Sequence, residues 1–388
     1  MTAGDGGILL QREIMLSYRY IETDRQLSDC CEEARKVDAI ALDTEFVRTR
    51  TYFPLLGLIQ LYDGQHVSLI DPLQITDWQP FVEVLTDKNV TKYLHAGGED
   101  LEVFLNRFGV VPTPMLDTQI MAAFLGNPSS WGFAAMVAQY TGIQLDKSES
   151  RTDWLARPLT EKQCQYAAAD VEYLLPIAQQ LHQQAVSEGQ LAYIESECAL
   201  QILRRQITVE PRLAYIDISQ AWQLTPRQLA ILQCLAEWRL DYARQHNMAV
   251  NFVVKEELLW KTARFSPSSL AELRELGAIG PEIRFHGDTL LKLVKQGEAV
   301  DEKDLPRPVK NIIEIPHYRQ LFAQLKEAVK QVSACSGYSQ EMLASRRQIN
   351  QLISAHWKLK PSETQPELLY GWRGELLTTP LNKILAQY

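Results

Sequence analysis

The chain carries a short apolar run that ends in acidic residues, AIALDTEF at positions 39–46. Four apolar residues closed by Asp43 predict a buried strand. Because alternate side chains of a strand point to the same face, Asp43 and Glu45 are expected side by side where this strand ends. Two carboxylates held so close repel each other unless a cation lies between them, and a divalent ion with oxygen ligands is the simplest such cation. For this segment alone, a solvated acid pair at the start of a loop is the alternative.

Three further residues are candidates for catalysis together with this pair. Asp100 falls in the first turn of a helix predicted over 99–108, after a strand predicted over 91–95. Tyr166 and Asp170 are four residues apart on an Ala-rich helix and share one face. Taken singly, Asp100 is explained by the helix dipole and the other two by an ordinary polar helix face. Together, four carboxylates beside a tyrosine that orients water fit phosphodiester hydrolysis by two hard ions about 4 Å apart.

The rest of the chain divides into a mixed α/β part and a helical part. Strands are predicted over 56–61 and 67–70, with a turn at Asp63-Gly64 between them. Helices are predicted over 24–36, 117–125 and 131–140, and one long helix begins at Thr160, which forms a capping box with Gln163. After about position 205 strand signals thin out. Helical periodicity then covers 225–245, 258–264, 270–276 and, beyond a Pro-rich charged linker at 300–308, a block from 318 onward.

Composition and length exclude several classes of protein. The chain has 388 residues, of which 46% are apolar and 22% charged, and this suits two or three globular domains. No apolar run approaches the ~18 residues that span a bilayer, and no secretory signal is present, so no membrane association is expected. Six cysteines without a CxxC pair predict free thiols in a reducing cytosol, hence a cytoplasmic protein. A net charge of −9 excludes nucleic-acid binding through bulk positive charge, but not a nuclease with local basic patches.

With these motifs the chain resembles the ribonuclease D family, within the DEDD superfamily of exonucleases and its tyrosine subgroup. Asp43-x-Glu45, Asp100 and Tyr166-x3-Asp170 match the three exonuclease motifs. Longer stretches make the resemblance more specific: ALDTEFVRTR at 41–50, LHAG at 94–97, DKSESRTDW at 146–154 and RPL at 157–159. The resemblance runs from about position 17 to the C-terminus.

This resemblance implies an RNase H-like α/β nuclease domain with a mixed sheet, followed by two small all-α HRDC-type domains. The implied divisions are a loose Gly-rich extension at 1–14, the exonuclease domain at 15–208, a first HRDC domain at 219–299 and an HRDC-like domain at 309–388. A faint repeat agrees with two related domains, because FHGD at 285–288 and WRGE at 372–375 are both followed by leucines. The repeat alone is no stronger than a chance match.

The resemblance also implies the chemistry. Asp43, Glu45 and Asp170 would bind two divalent ions, Mg²⁺ or Mn²⁺, directly, and Asp100 would complete the second site through water. The implied reaction is 3′→5′ exoribonuclease hydrolysis that releases nucleoside 5′-monophosphates. The implied partner is structured RNA with a single-stranded 3′ end, chiefly precursor tRNA. We expect a monomer, because several domains supply RNA contacts without a second subunit.

Basic and aromatic residues near the motifs are candidates for contacts with RNA. Lys147 and Arg151 are expected to hold phosphates, because an acidic nuclease needs cations beside its metal site. Phe46, Tyr52 and Trp131 are candidates for stacking on terminal bases, with core packing as the alternative for Phe46. For the basic residues the alternative is a surface charge or an ion pair with a neighbouring acid, such as Asp146, Glu149 or Asp153.

Weaker candidates lie on either side of these positions. Arg48, Arg50 and Arg157 are further possible phosphate contacts, and His95 is expected to be structural because the tyrosine-type motif leaves no place for a catalytic histidine. In the C-terminal block a locally basic surface with two tryptophans is a candidate for docking folded RNA, and a solvated helix face is the alternative. This surface comprises Arg346, Arg347, Trp357, Lys358, Lys360, Trp372 and Arg373.

Three other functions compete with this interpretation. A DNA exonuclease would use the same acids, but the paired HRDC-like blocks favour RNA. A non-catalytic RNA-binding protein on a nuclease scaffold would be expected to have lost a metal ligand, and none is lost. A two-metal phosphatase acting on a small substrate would leave the C-terminal domains without a use.

Overall fold

The computed structural model describes residues 15–359 and 365–388, and it begins with a mixed α/β domain. Six strands form one sheet: β1 (Tyr18–Ile21), β2 (Ala39–Val47), β3 (Leu55–Tyr62), β4 (Val67–Ile70), β5 (Thr91–Leu94) and β6 (Met115–Asp117). Their order is β1-β4-β3-β2-β5-β6. β3 is antiparallel to β2 and β4, and the other neighbouring pairs are parallel. The predicted mixed sheet is confirmed, whereas the extension predicted for residues 1–14 lies outside the described residues.

Eight helices accompany the sheet in the described part of this domain. They are α1 (Asp24–Ala34), α2 (Gln79–Thr86), α3 (Gly98–Phe108), α4 (Thr118–Phe124), α5 (Phe133–Thr141), α6 (Glu161–Glu172), α7 (Leu174–Ser187) and α8 (Leu191–Gln206). α6 packs against β2, β3 and β4. Because helices cover the sheet, the central strand β3 is buried at nearly every position and its sequence is almost continuously apolar.

The structure corrects the predicted elements in three places. β2 continues to Val47, so Asp43 and Glu45 lie inside the strand and not at its end. The helix predicted to begin at Asp117 begins at Thr118, because Asp117 closes β6 and caps α4 by accepting from the backbone N–H of Gln119. The long helix predicted from Thr160 is two helices, which meet at Tyr173. Its predicted capping box between Thr160 and Gln163 is confirmed.

The remainder of the described chain is helical, as predicted, and no strand follows β6 within it. The first block contains α9 (Pro226–Gln245), α10 (Val250–Val253), α11 (Glu256–Phe265), α12 (Leu270–Glu275) and α13 (Gly280–Glu298). The second contains α14 (Tyr318–Ser336), α15 (Gln340–Leu343), α16 (Arg346–His356) and α17 (Gly371–Leu385). In the ranges 15–359 and 365–388, no helix is long and apolar enough to cross a membrane.

Two hydrophobic cores hold these parts together. One core joins buried residues of the sheet domain, within 21–198, to buried residues of α14–α17, within 318–385. The other lies in the first helical block, within 215–294, and Tyr52 of the sheet domain packs against it. The second helical block is therefore packed against the sheet domain itself, although the first block separates the two along the chain.

Candidate active site

Three acidic side chains converge where α6 crosses β2. Asp43 and Glu45 project from the same face of β2, and Asp170 projects from α6, which packs on that strand. One carboxylate oxygen from each of these residues lies within 4.8 Å of the others. The side-by-side placement predicted for Asp43 and Glu45 is thus what the strand produces, and the third acid is added by a helix more than a hundred residues later.

Burial and mutual repulsion raise the pKa of each acid in this cluster. Burial, followed by repulsion from Asp170 and Asp100, raises the pKa of Glu45 to about 9. Burial also raises the pKa of Asp170 to about 8, against the opposing effect of a hydrogen bond with Tyr166. The pKa of Asp43 is raised well above its usual range by burial and by the three neighbouring carboxylates, Asp100 first. Without a bound cation, the surroundings therefore favour the protonated, uncharged forms of these acids.

Asp100 lies next to this cluster in the first turn of α3 and is buried. The hydroxyl of Thr44 donates to Asp100 Oδ1. Burial raises the pKa of Asp100 to about 6, and the hydrogen bond from Thr44 opposes that rise. Asp100 is near enough to raise the pKa of Asp43, Glu45 and Asp170, yet its oxygens are not part of their 4.8 Å group. The structure thus brings all four predicted acids together: Asp43, Glu45 and Asp170 form one group, and Asp100 lies next to it.

Tyr166 lies one helical turn before Asp170 on α6 and is hydrogen-bonded to its carboxylate. Burial, and then repulsion from Asp170, Glu45 and Asp43, raises the pKa of Tyr166 above its ordinary value. The phenol therefore stays protonated at neutral pH. A protonated phenol can donate to Asp170 and still offer an oxygen lone pair to a water molecule.

A loop between α5 and α6 fixes the position of the Tyr166 ring. Trp154 in this loop is buried, and its ring centroid lies 6.1 Å from that of Tyr166. Gly57 on β3 allows the approach, because a Cβ at this position would lie 2.6 Å from the Trp154 carbonyl oxygen. The Arg157 guanidinium then joins the loop to the sheet, donating to Asp71 at 2.6 and 2.8 Å and to the Gly57 carbonyl at 2.7 Å.

The donor set fits a hard divalent cation. All four acids offer carboxylate oxygens, the ligands that Mg²⁺ and Mn²⁺ prefer. Three of them already have oxygens within one small volume, and a bound cation would offset the burial and repulsion that raise their pKa values. Asp43, Glu45 and Asp170 are the residues that could hold an ion directly. Asp100 lies next to them but outside their group of oxygens.

The predicted RNA-contacting residues have different environments. Lys147 and Arg151 are exposed, and neither forms an ion pair with any residue of the described ranges, so of the two alternatives to RNA contact the ion pair is excluded and the surface charge is not. Phe46 and Trp131 are partly buried and pack against the core. Tyr52 packs on the first helical block, where its hydroxyl accepts from Arg244 at 3.3 Å.

Most of the weaker candidates near the site already form contacts with other residues of the protein. Arg157 forms the ion pair with Asp71, so its predicted alternative role is the observed one. Arg48 pairs with Glu102 at 3.0 Å, whereas Arg50 is exposed and lies over the ring of Phe252. His95 is largely buried, with Nδ1 2.9 Å from the Thr118 hydroxyl, which agrees with a structural role.

The predicted basic surface of the C-terminal block is wrong for Trp372 and Arg373, which are buried. Trp372 Nε1 donates to Glu197 at 2.8 Å, and Arg373 pairs with the same carboxylate. Both residues pack against α8. Helical periodicity alone could not reveal this contact. Arg347 pairs with Glu367 and Arg346 lies over Phe322. Lys360 lies outside the described residues.

Two residues that shape the site were not predicted from the sequence. Thr44 was passed over between its acidic neighbours, although its position in the motif was the available signal. Trp154 was noted only as part of the family resemblance. An apolar residue at the end of a polar stretch, DKSESRTDW at 146–154, was the signal that one residue of this loop is buried in the protein.

Three stretches of the chain match known sequence families. Residues 18–185 match the 3′-5′ exonuclease family, and residues 228–294 match the HRDC domain. Residues 316–381 match the family described as ribonuclease D, C-terminal HRDC domain. The prediction of an α/β nuclease domain followed by two helical HRDC-type domains is confirmed.

Relatives match nearly the whole chain. Ribonuclease D of Escherichia coli strain K12 is 57% identical over 373 residues, covering 96% of this chain and 100% of that protein. Ribonuclease D of Serratia proteamaculans is 58% identical with the same coverage. The crystal structure of Escherichia coli RNase D, an exoribonuclease involved in structured RNA processing, matches with a TM-score of 0.94 over 96% of this chain and 100% of its own. A protein from Bifidobacterium adolescentis, 20% identical with a TM-score of 0.67, shares the fold.

Proposed function

Because this chain belongs to the ribonuclease D family and is a 3′→5′ exoribonuclease, we propose that it trims the 3′ ends of precursor tRNAs and other small structured RNAs. It is a hydrolase, its substrate is RNA, and its family depends on divalent metal ions. The observation that carries the proposal is the convergence of Asp43, Glu45 and Asp170 on one small volume, with Asp100 and Tyr166 beside it. The products are nucleoside 5′-monophosphates.

In this proposal Asp43, Glu45 and Asp170 hold two ions, Mg²⁺ or Mn²⁺, and Asp100 contributes through water. When bound, such ions lower the pKa of the attacking water and neutralise charge on the phosphodiester. Thr44 holds the Asp100 carboxylate in one orientation through its hydrogen bond. Tyr166 keeps its proton, donates a hydrogen bond to Asp170 and orients the attacking water with its remaining lone pair.

Lys147 and Arg151 bind the phosphates of the substrate's 3′ end, since both are exposed and free of ion pairs within the described structure. Phe46 and Trp131 contact the terminal bases through the parts of their rings that stay exposed. Replacing both cations, as Lys147→Ala with Arg151→Ala, should raise KM and flatten the salt dependence of binding, because each phosphate contact contributes about 0.7 to that slope for a single strand. Lys36→Ala, at an exposed position after α1, is the matched control and should change neither.

We also propose the division of the chain into an exonuclease domain at 15–208, an HRDC domain at 219–299 and an HRDC-like domain at 309–388. The family matches at 18–185, 228–294 and 316–381 support it. A monomer in the cytoplasm remains our prediction. Four buried cysteines with no disulfide agree with a reducing compartment.

The experiment is a gel assay of precursor tRNA labelled at its 5′ or its 3′ end, with Mg²⁺, comparing the wild type with Asp43→Ala. Stepwise shortening of the 5′-labelled RNA and release of labelled mononucleotide from the 3′-labelled RNA, both lost in the variant, are expected. Absence of shortening by the wild-type protein would refute the proposal and favour an RNA-binding role. The same assay with DNA of matched sequence separates the proposal from a DNA exonuclease.

A further inference from the structure

Gln60 on β3 has a fully buried side chain whose amide lacks hydrogen bonds. Its exposure is 0%, and neither Oε1 nor Nε2 has a partner among the residues the structure describes. An unpaired buried amide destabilises a fold, because its hydrogen bonds to water are lost and not replaced, so such groups are rare in folded proteins. The neighbouring positions of the strand, Ile59 and Leu61, are apolar, and an apolar residue would also suit this position.

The strand register places Gln60 directly opposite Asp43. The two residues are Cα partners in the antiparallel pair of β2 and β3. Residues directly opposite each other point to the same face, with Cβ atoms about 4.5–5.5 Å apart. That face is the one on which α6 packs and to which Asp170 contributes its carboxylate. The Gln60 amide is therefore buried on the face of the acidic cluster, beside Asp43.

An amide supplies what this cluster lacks. Ionised carboxylates only accept hydrogen bonds, and the Gln60 Nε2 carries two donors. Residues that hydrogen-bond a metal-ligating carboxylate fix its orientation and strengthen the site. We propose that Gln60 is a positioning residue of the metal site, which donates from Nε2 to the Asp43 carboxylate when divalent ions are bound. This inference rests on the proposed metal-dependent function.

A second buried polar side chain of the sheet shows why position matters. Ser68 on β4 is also fully buried, and its hydroxyl interacts with the thiol of Cys30 on α1. Ser68 is paired with Leu61, whose side chain points to the opposite face from Gln60. Ser68 is thus turned away from the carboxylates. A buried polar group suggests a role at the metal site only where the fold presents it to the acids.

The test is the replacement Gln60→Met, which keeps the length of the side chain and removes the amide. We expect the melting temperature of the metal-free protein to stay the same or rise, because no hydrogen bond is lost there. We expect the affinity for Mn²⁺, measured by calorimetry without RNA, to fall about tenfold, the lower end of the effect of losing such a partner. Exonuclease activity should fall at limiting Mn²⁺ and recover when the Mn²⁺ concentration is raised.

The matched control is Thr262→Val in α11, which removes a fully buried, unpartnered hydroxyl far along the chain from the acids. Its Mn²⁺ affinity should equal that of the wild type. Gln60→Leu repeats the test with a branched side chain. If both Gln60 variants bind Mn²⁺ as tightly as the wild type, or if both lower the melting temperature of the metal-free protein, Gln60 supports the sheet and not the metal site. If the wild type itself neither binds Mn²⁺ nor needs it, the proposed function fails first.

Discussion

The buried carboxylates of the site destabilise the metal-free protein. Unfolded Asp and Glu have pKa values of about 4, whereas the folded pKa is about 9 for Glu45 and about 8 for Asp170, chiefly because of burial. The folded state therefore binds protons more tightly than the unfolded state. Its stability is greatest below the unfolded pKa and falls as pH rises toward the folded values. Between about pH 4 and pH 9 the acids of the active site thus lower the stability of the metal-free fold.

Asp170→Asn should consequently raise the melting temperature of the metal-free protein at pH 8. A gain of about 1 kcal/mol corresponds to ~2–4 °C for a domain of this size. The gain should shrink at pH 5, where Asp170 is already protonated in the wild type. Thermal melts in EDTA at the two pH values measure it, and the same variant should lose the stabilisation that Mn²⁺ gives the wild type. A lower melting temperature at pH 8 would show that this carboxylate has a stabilising partner.

Tyr166→Phe separates positioning of water from binding of metal. Burial and the neighbouring carboxylates keep this hydroxyl protonated, and a protonated phenol is a poor ligand for a divalent ion, so Mn²⁺ affinity should stay close to that of the wild type. The rate constant kcat should fall by about 10²-fold, the lower end for groups that assist proton transfer. Single-turnover assays with saturating Mn²⁺ measure the rate, and calorimetry measures the affinity. Loss of Mn²⁺ binding would instead make Tyr166 a part of the metal site.

At the residue scale, spacing made the acids predictable but not the residues that support them. Asp43 and Glu45 follow from strand alternation, and Tyr166 with Asp170 from helical spacing. Thr44 donates to Asp100, which is distant in the chain, and Gln60 is brought opposite Asp43 by the pairing of two strands, so no local sequence pattern indicates either relationship. Their roles became visible only with the strand register and the path of α3.

At the scale of elements, the irregular pairing of β2 with β3 gives the site its shape. The register shifts between Glu45 and Phe46, so the partner strand passes from Leu58 to Leu56 and leaves Gly57 unpaired. Bulges of this kind are common beside active sites because they redirect side chains. Here the extra residue is the glycine against which the Trp154 backbone packs.

Gly57→Ala should therefore damage the site through the loop that holds Tyr166. The added methyl would meet the Trp154 carbonyl oxygen at 2.6 Å, so the loop must move. Overpacking of this kind costs about 1–3 kcal/mol. Urea unfolding should show this loss, and kcat should fall because the Tyr166 ring loses its neighbour.

Gly132→Ala is the control for that substitution. Gly132 precedes α5 with φ of −77°, and a Cβ there would meet nothing within 4 Å. Stability and kcat should both remain near the wild-type values. Equal effects of the two alanines would mean that the close approach to Trp154 is not what restricts position 57.

Predictions of elements succeeded where an apolar run or a capping box marked them. β3 and β4 follow from apolar runs, and the start of α6 follows from its capping box. β6 has three residues, too few to show alternation. The break at Tyr173 had a local cause that was overlooked, since Pro176 has no N–H and its ring clashes with the carbonyl four residues earlier.

At the scale of the whole molecule, the second helical block packs onto the nuclease domain as part of one core. Trp372 lies 4.8 Å from the ring of Phe124 and 5.4 Å from that of Tyr338, measured between centroids. Beside it, the Glu197 carboxylate of α8 binds both Trp372 Nε1 and the Arg373 guanidinium. Periodicity within the block marks an apolar face but not its partner, and for that reason the sequence suggested an RNA-binding surface at these two residues.

The buried ion pair of Arg373 and Glu197 is the contact whose loss should detach this block. Arg373→Met leaves a buried carboxylate without its main partner, and breaking a buried pair in this way costs about 3–5 kcal/mol. Arg347→Met is the matched control, because Arg347 also pairs with a glutamate but its side chain is 68% exposed, against 7% for Arg373. An exposed pair contributes about 0–1 kcal/mol.

Urea unfolding and limited proteolysis of the full chain distinguish the two variants. Arg373→Met should unfold at lower urea concentration and expose the segment at 300–317 to protease, while Arg347→Met should behave like the wild type. Adding Glu197→Gln to Arg373→Met should recover part of the loss, because the unpaired charge is then removed. If the two arginine variants lose equal stability, or if the second substitution makes the loss larger, docking of the block depends on apolar packing around Trp372 and not on the buried charges.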